Sequence, residues 1–409
     1  MNKIRQFQRR RKDSVIALVL LAMVLLFVAG MGLLSLGLKS RQTAIRAASD
    51  IAAQCAADAG LAKALYEMNE KLKIKPWNDS TLPYATGAAL PNCDATYNYT
   101  VTQDAITSDY VIYAIGTCGG LQRATQTTLA LVGPYEYALL VKNNIELKNG
   151  TTIDQYNFGA GAENLQIGTL STADGAINSR FGVTIDGDVL VGVGGNPDTV
   201  INSQQEAVIT GECRALTEEL KILDVVVPGY LESLTSQGKL TGSATWSGPL
   251  KYDNIDLLPT KTITIDGPAE VYVVGTVKTK LNCTIRIVGT NPDASLILYV
   301  GGDGSTTKGF ILGMGATIAN EHFDPRKIQI YGLNTCGKIE FQGLNQSYYG
   351  TVYAPQANVV AGNSFQIYGC VVANNFSQVV NANFHFDASL RDVTVNDPVV
   401  KFTVGKWSE

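Results

Sequence analysis

The sequence predicts a mainly β protein: a long N-terminal transmembrane α-helix, a small antiparallel meander, and then a Gly-rich β-solenoid or β-helix. Three observations lead there. An apolar run from Val15 to Leu38 contains no charge and follows a basic tail. There are 40 glycines in 409 residues, without the period of three that collagen requires. Only 17% of residues are charged, low beside the roughly 25% of soluble domains. The boundaries that follow are 1–14 for a cytoplasmic basic tail, 15–38 for the transmembrane helix and 39–132 for the helix continuation and meander. Residues 133–215 form a first solenoid-like portion, 216–260 a connecting segment, 261–390 a second solenoid portion and 391–409 a C-terminal tail.

The basic tail holds Lys3, Arg5, Arg9, Arg10, Arg11 and Lys12. Positive charge stays on the cytoplasmic side, so the body lies outside the cytoplasm. As a helix the 24 apolar residues reach about 36 Å, enough to cross a bilayer. A cleaved signal peptide is the alternative, but its apolar core is usually shorter than this run. Beyond residue 50 the chain is net acidic, which argues against nucleic-acid binding.

Ser40 to Lys75 contains no proline, and Ile45, Ala48, Ala52, Cys55, Ala59, Ala62, Leu65 and Leu72 recur at spacings near three and four. This predicts an amphipathic continuation of the helix whose alanine-rich stripe packs on a sheet and which ends at Lys75, before Pro76. Alternating runs at Thr96–Gln103, Tyr110–Gly116 and Gln122–Val132 predict the meander. Cys93 precedes its first strand and Cys118 follows its second, so the pair forms either a disulfide across the sheet or two separately buried thiols.

The stretch Ala52-Ala53-Gln54-Cys55-Ala56-Ala57-Asp58-Ala59-Gly60-Leu61-Ala62-Lys63-Ala64-Leu65 resembles the N-terminal signature of PilX-type minor pilins, and the likeness to type IV pilin-like proteins covers roughly residues 8–132. Asp13 stands where a prepilin peptidase site would have glycine, and no glutamate lies five residues into the apolar run. The resemblance implies a single-pass protein of the inner membrane with a periplasmic or extracellular body. Small residues at Ala48, Ala52, Ala59 and Ala62 would allow lateral packing of the helix against pilin-like or other envelope proteins.

In the body, Leu312-Gly313, Tyr331-Gly332, Tyr349-Gly350 and Tyr368-Gly369 follow one another at 19, 18 and 19 residues, with Phe386 18 beyond Tyr368. A period near 18 predicts coils in which these residues stack in ladders, so that truncation inside the region is destructive. Gly275, Gly289, Gly301 and Gly313, at 14, 12 and 12, predict shorter coils or hairpins. A short helix is expected at Leu216–Leu223, and a loop at 238–252. Asp266-Gly267-Pro268, Leu296 to Asp303, Tyr349 to Pro355 and Phe384 to Leu390 resemble an uncharacterised β-solenoid domain that follows PilX-type N-termini in bacterial envelope proteins.

No residue is assigned a catalytic, cofactor or metal role. Asp186 and Asp188 could form a glycosidase pair or a calcium site, but with Asn196-Pro197-Asp198 nearby they read as turns. His385 beside Asp387 lacks a nucleophile, and a hydrogen bond from either His385 or Asp387 is expected to close a terminal coil. His322 with Glu321 and Asp324 is too few ligands for a metal. The loop 301–308 lacks the P-loop ending. Cys213, Cys283, Cys336 and Cys370 show no Cys-x-x-Cys spacing and are expected to be unpaired. Tyrosines, 18 against 12 phenylalanines, either pack the interior or form a flat face for a glycan or protein. The function predicted is that of a non-enzymatic envelope protein associated with a type IV pilus or pseudopilus, with a solenoid head for assembly or adhesion. The alternatives are an anchored scaffold or adhesin unrelated to pili, and a polysaccharide-active enzyme.

Overall fold

The computed structural model describes residues 2–104, 107–157, 164–305, 308–342, 345–397 and 399–408, with side chains from residue 18 to 405 within those ranges. The side chains of the basic tail and of Asp13 therefore lie outside the described residues, as do Thr306 and Thr307. The chain is mainly β with one long apolar N-terminal helix, and it divides into two units, 1–131 with 401–409, and 132–400.

In the first unit, α1 (Asn2–Leu72) is one uninterrupted helix. Its apolar part is exposed from Leu18 to Leu38, and by length and composition it could cross a membrane. It ends at Leu72, three residues before the expected stop. Four antiparallel strands follow, β1 (Tyr84–Ala89), β2 (Thr96–Gln103), β3 (Tyr110–Cys118) and β4 (Leu121–Val132), and the C-terminal strand Lys401–Ser408 adds beside β4. Residues 401–408 are thus a strand of this sheet.

The face of α1 that covers this sheet is not the predicted stripe. Ala53, Ala56, Ala57, Leu61, Ala64, Met68 and Leu72 are buried, while Ile45, Ala48, Cys55 and Ala62 are exposed and Ala52, Ala59 and Leu65 half-buried. The cause lies on β3: a Cβ on Gly116 would sit 1.9 Å from the Ala53 carbonyl oxygen and 2.5 Å from the Ala57 nitrogen. Backbone meets backbone there, and only alanine fits beside it. Tyr99 donates to Glu67 at 2.6 Å, Arg123 holds Asp50 through two bonds of 2.7 Å, and the Asn69 amide pairs with both backbone groups of Phe402 at 3.0 and 2.8 Å. The Cys93–Cys118 disulfide does not form, since all seven cysteines are free. The ladder ends with Thr96 opposite Thr117, so Cys93 lies beyond it in the β1–β2 turn, its thiol directed at the Leu90 carbonyl at 3.8 Å.

The second unit is a run of parallel strand pairs arranged on three sides. On one side, 248–252, 268–273, 295–300, 328–332, 350–354, 369–373, 139–141, 166–169, 188–191 and 213–215 pair in that order. A second side runs 239–240, 254–257, 277–279, 309–312, 338–341, 358–361, 375–378, 145–147, 177–179 and 201–203. The third begins with 244–246, 262–265, 284–287 and 317–320. Beside 317–320 lies 347–349, with the Asn320 amide donating to the Tyr349 carbonyl at 3.0 Å. The third side then continues through 366–368, 383–387, 152–156, 184–185 and 208–209.

The spatial order is not the chain order. The last rungs of the chain, 369–387, pair with its first, 139–156, so the chain enters and leaves in the middle of the stack. The inward side chains form one continuous apolar cluster from Leu139 to Leu390. Residues 216–238 return from one end of the stack to the other as a strap. Leu216 N bonds Val191 O, the Tyr353 hydroxyl donates to Leu223 O at 2.7 Å, Gln356 to Asp224 at 3.0 Å, and Lys251 to Glu232 O at 2.5 Å. The expected helix at 216–223 is absent, because those backbone and side-chain groups bond along the stack instead of to one another. Gly229–Glu232 is helical, and 244–252, expected as a loop, is a strand.

The glycine period misaligns the rungs. Tyr349 does stack on Tyr368, but the next partner is His385, not Phe386. Tyr331 pairs with Tyr299 and Tyr353 on the first side, and Leu312 with Phe341 on the second. The 12-to-14 spacing of Gly275, Gly289, Gly301 and Gly313 marks corners within coils.

Candidate functional site

The three sides differ in what they present. The strap covers the first, where Tyr331 stacks on Tyr299 and meets Tyr353 at a tilt, all three no more than 4% exposed. The second is a charged surface, with Asp256 held by Lys239 at 2.7 Å and Lys280 at 3.7 Å, and Lys338 paired with Glu340 at 2.8 Å. The carboxyl of Asp256 is held below its ordinary range, chiefly by its bond to Lys239. Among the described residues no strap crosses the third, which forms the candidate site.

Its construction is a repeated dipeptide. In Thr152-Ile153, Thr184-Ile185, Thr262-Ile263, Thr284-Ile285 and Thr317-Ile318 the isoleucine points inward and is at most 5% exposed, and the threonine points outward and is half-buried. Alternation along a strand sets this division. The strands of this side from 262–265 onward are preceded at the same corner by a left-handed residue: Thr260, Asn282, Gly315, Asn345, Ser364, Asn381, Gly150, Gly182 and Glu206, with φ between 52° and 70°. In-register pairing makes a flat column of Thr262, Thr284 and Thr317, and, further along the side, of Ser347, Gln366, Asn383, Thr152 and Thr184. Rungs are spaced about 4.8 Å apart.

The second outward column holds aromatic and acidic groups. Tyr349 and Tyr368 stack at 4.3 Å and 10°, and Tyr368 and His385 at 4.4 Å and 23°. Phe323 meets Tyr349 edge-on at 5.2 Å, and Tyr156 meets Tyr368 at 5.4 Å. His385 lies between Asp154 (2.5 Å from Nδ1) and Gln366 (2.9 Å from Nε2). Asp186 follows Asp154 one rung on and accepts from Thr210 at 2.7 Å. Burial first, then the Tyr368 phenol, pushes the Tyr349 phenol above its ordinary value. Because the ring faces cover one another, what this surface offers is ring edges, hydroxyls and carboxylates at a regular spacing.

The other sequence candidates have structural duties. Asp188 is turned into the corner, accepting from the Glu212 nitrogen at 2.9 Å, and so does not share a face with Asp186. Asn196 caps the short helix Pro197–Val200. Of the two residues expected to close the last rung, Asp387 does so: it is 2% exposed and accepts from Ser389 N at 2.9 Å and the Asn157 amide at 3.2 Å. Glu321 binds Arg286 and Gly289 N, Asp324 caps the turn at Pro325, and His322 Nε2 is 3.0 Å from the Asn291 carbonyl. Among the described residues no three potential metal ligands cluster. In the loop at 301–308, Asp303 bonds Lys308 and Ser305, which lowers its carboxyl. Cys283, Cys336 and Cys370 are buried, and burial pushes the Cys336 thiol up to about 12. The sequence reading missed the Thr-Ile columns, although the dipeptide recurs plainly.

Residues 195–393 match the model of a family described as a domain of unknown function (DUF7305). No curated protein matches the chain. Among solved structures it is similar to the DUF3494 domain of Shewanella frigidimarina ice-binding protein_1, with 16% identity over 61% of this chain and 94% of that one and a TM-score of 0.36. An ice-binding protein of the Antarctic ascomycete Antarctomyces psychrotrophicus is similar at 11% identity over 61% and 94%, with a TM-score of 0.29. The competence-associated pilin ComZ of Thermus thermophilus is similar at 11% identity over 88% and 97%, with a TM-score of 0.21.

Proposed function

We propose that this is a non-enzymatic, single-pass envelope protein whose N-terminal unit is pilin-like and whose parallel stack is a β-solenoid head, displayed outside the cytoplasm for assembly or adhesion as a minor component of a type IV pilus or pseudopilus. The observation that carries this reading is α1: one unbroken helix whose first half is apolar and exposed and whose second half is sealed to a small antiparallel sheet. A lipid bilayer is the partner of the first half. Ala48 and Ala62, exposed on the side away from the sheet, leave room for a neighbouring helix. In the head, the threonine side with its Tyr349, Tyr368 and His385 column is the surface for a glycan or protein at the cell exterior.

The test is intact mass and fractionation of the native protein with and without prepilin peptidase. A peptidase-dependent shortened N-terminus supports the pilus or pseudopilus reading. A full-length protein that stays in the membrane either way removes it and leaves an anchored scaffold or adhesin.

A further inference from the structure

The two ends of the stack are finished differently. At the end formed by 239–252, Trp246 and Tyr252 are 1% and 5% exposed, their rings lie 5.9 Å apart and the indole N–H donates to the tyrosine oxygen at 3.2 Å. The helix Gly229–Glu232 packs on the same strand with Leu231 fully buried. That end is filled by large side chains.

At the end formed by 201–215 no described residue plays this part. Ile209, Cys213 and Ala215 occupy the register positions of Ile185, Val189 and Val191 one rung earlier. The earlier three are fully buried, whereas Cys213 is exposed and Ile209 and Ala215 are partly so. Core-directed side chains therefore reach solvent, beside three strand edges with no further strand among the described residues. Repeat stacks need a polar cap to stay apart, and an open strand edge is a template for pairing.

We infer that this end is a twofold interface for a second copy of the chain. The occupant follows from the sequence of the edge strand, Glu212-Cys213-Arg214, which is complementary to itself. Antiparallel pairing centred on Cys213 sets Cys213 opposite Cys213 of the second copy and Glu212 opposite Arg214 of the second copy, twice. Among the described residues neither Glu212 nor Arg214 has an ion-pair partner within its own chain. The same twofold exchanges the other two sides, bringing 201–203 against 208–209 of the second copy and joining the half-buried Ile201 and Ile209. Opposed residues in such a pair have Cα atoms about 4.5–5.5 Å apart, inside the span of roughly 4.4–6.8 Å that a disulfide bridges.

Cross-linking reads this geometry directly. Full-length protein in detergent is treated with oxidised glutathione, which accepts the two electrons and two protons that two thiols release on forming a disulfide. The products are then resolved without reductant and mapped by peptide mass. The expected result is a dimer joined Cys213 to Cys213. Glu212→Arg should lower its yield roughly tenfold, and Glu212→Arg with Arg214→Glu should restore it. Cross-links confined to the exposed Cys55 or Cys93, or a Cys213 yield indifferent to both charge variants, would overturn the interface.

Discussion

Gly116 decides which face of the long helix the sheet takes. With a Cβ unable to fit within 1.9 Å of the Ala53 carbonyl oxygen, Gly116→Val must push strand and helix apart, at a cost of about 2 kcal/mol or more. Denaturation of the full chain, followed by a fluorophore on the first unit, should show a lower midpoint, and an unchanged one would show that the close approach is unimportant. The sequence made the amphipathic helix legible but not its phase. Alanines stand on several faces at once, among them Ala48, Ala52, Ala53, Ala56, Ala57, Ala59 and Ala62, so periodicity alone admits more than one buried stripe. The residue that chooses lies on another element, more than forty positions away. The choice between a Cys93–Cys118 disulfide and two separate thiols stayed open for a related reason: the spacing locates both near strand ends, but the position of Cys93 beyond the ladder is set by register.

Among the elements, the threonine side is the most regular, and its two columns have separable roles. Ile285, 2% exposed in the core, should cost about 2–5 kcal/mol when cut to alanine. Thr284, half-buried and outward, should change stability by no more than about 0.5 kcal/mol on the same substitution. Thermal unfolding of the two variants checks this, and equal effects would mean the strand does not alternate as described. The strands themselves were legible as short apolar runs between Gly, Asn and Asp turns. Their alignment was not, because aligning the glycines gives a regular distance while coil lengths vary with the corner insertions. The Thr-Ile dipeptide preceded by a left-handed residue, Asn or Gly in four of the five cases, is the better index, since it reports one fixed corner and one fixed strand rather than a distance. The helix expected at Leu216–Leu223 failed because its apolar residues serve a strap, whose hydrogen bonds run to Tyr353 and Gln356.

At the scale of the molecule, nothing local in the sequence records that 369–387 lies against 139–156. The joined stack buries a set of tyrosines. Burial holds the phenols of Tyr135, Tyr331 and Tyr348 well above their ordinary value. These groups stay neutral in the fold, whereas in the unfolded chain they ionise near pH 10. Their contribution to stability is therefore intact below about pH 10 and lost as pH rises beyond it. Chemical denaturation at rising pH should show stability falling above that value, with tyrosinate absorbance appearing together with unfolding. Free titration of every tyrosine in the folded protein would contradict this.

The two ends of the body's chain meet as neighbouring rungs, and one pair of residues across the junction puts this to experiment. Ser377 and Glu146 face each other across the junction in parallel register, both half-buried on the charged side. Ser377→Cys with Glu146→Cys in the full chain, oxidised and mapped by peptide mass, should give an intramolecular disulfide linking positions 377 and 146 in the monomer. Two free thiols at these positions, or a link found only between molecules, would contradict the joined stack.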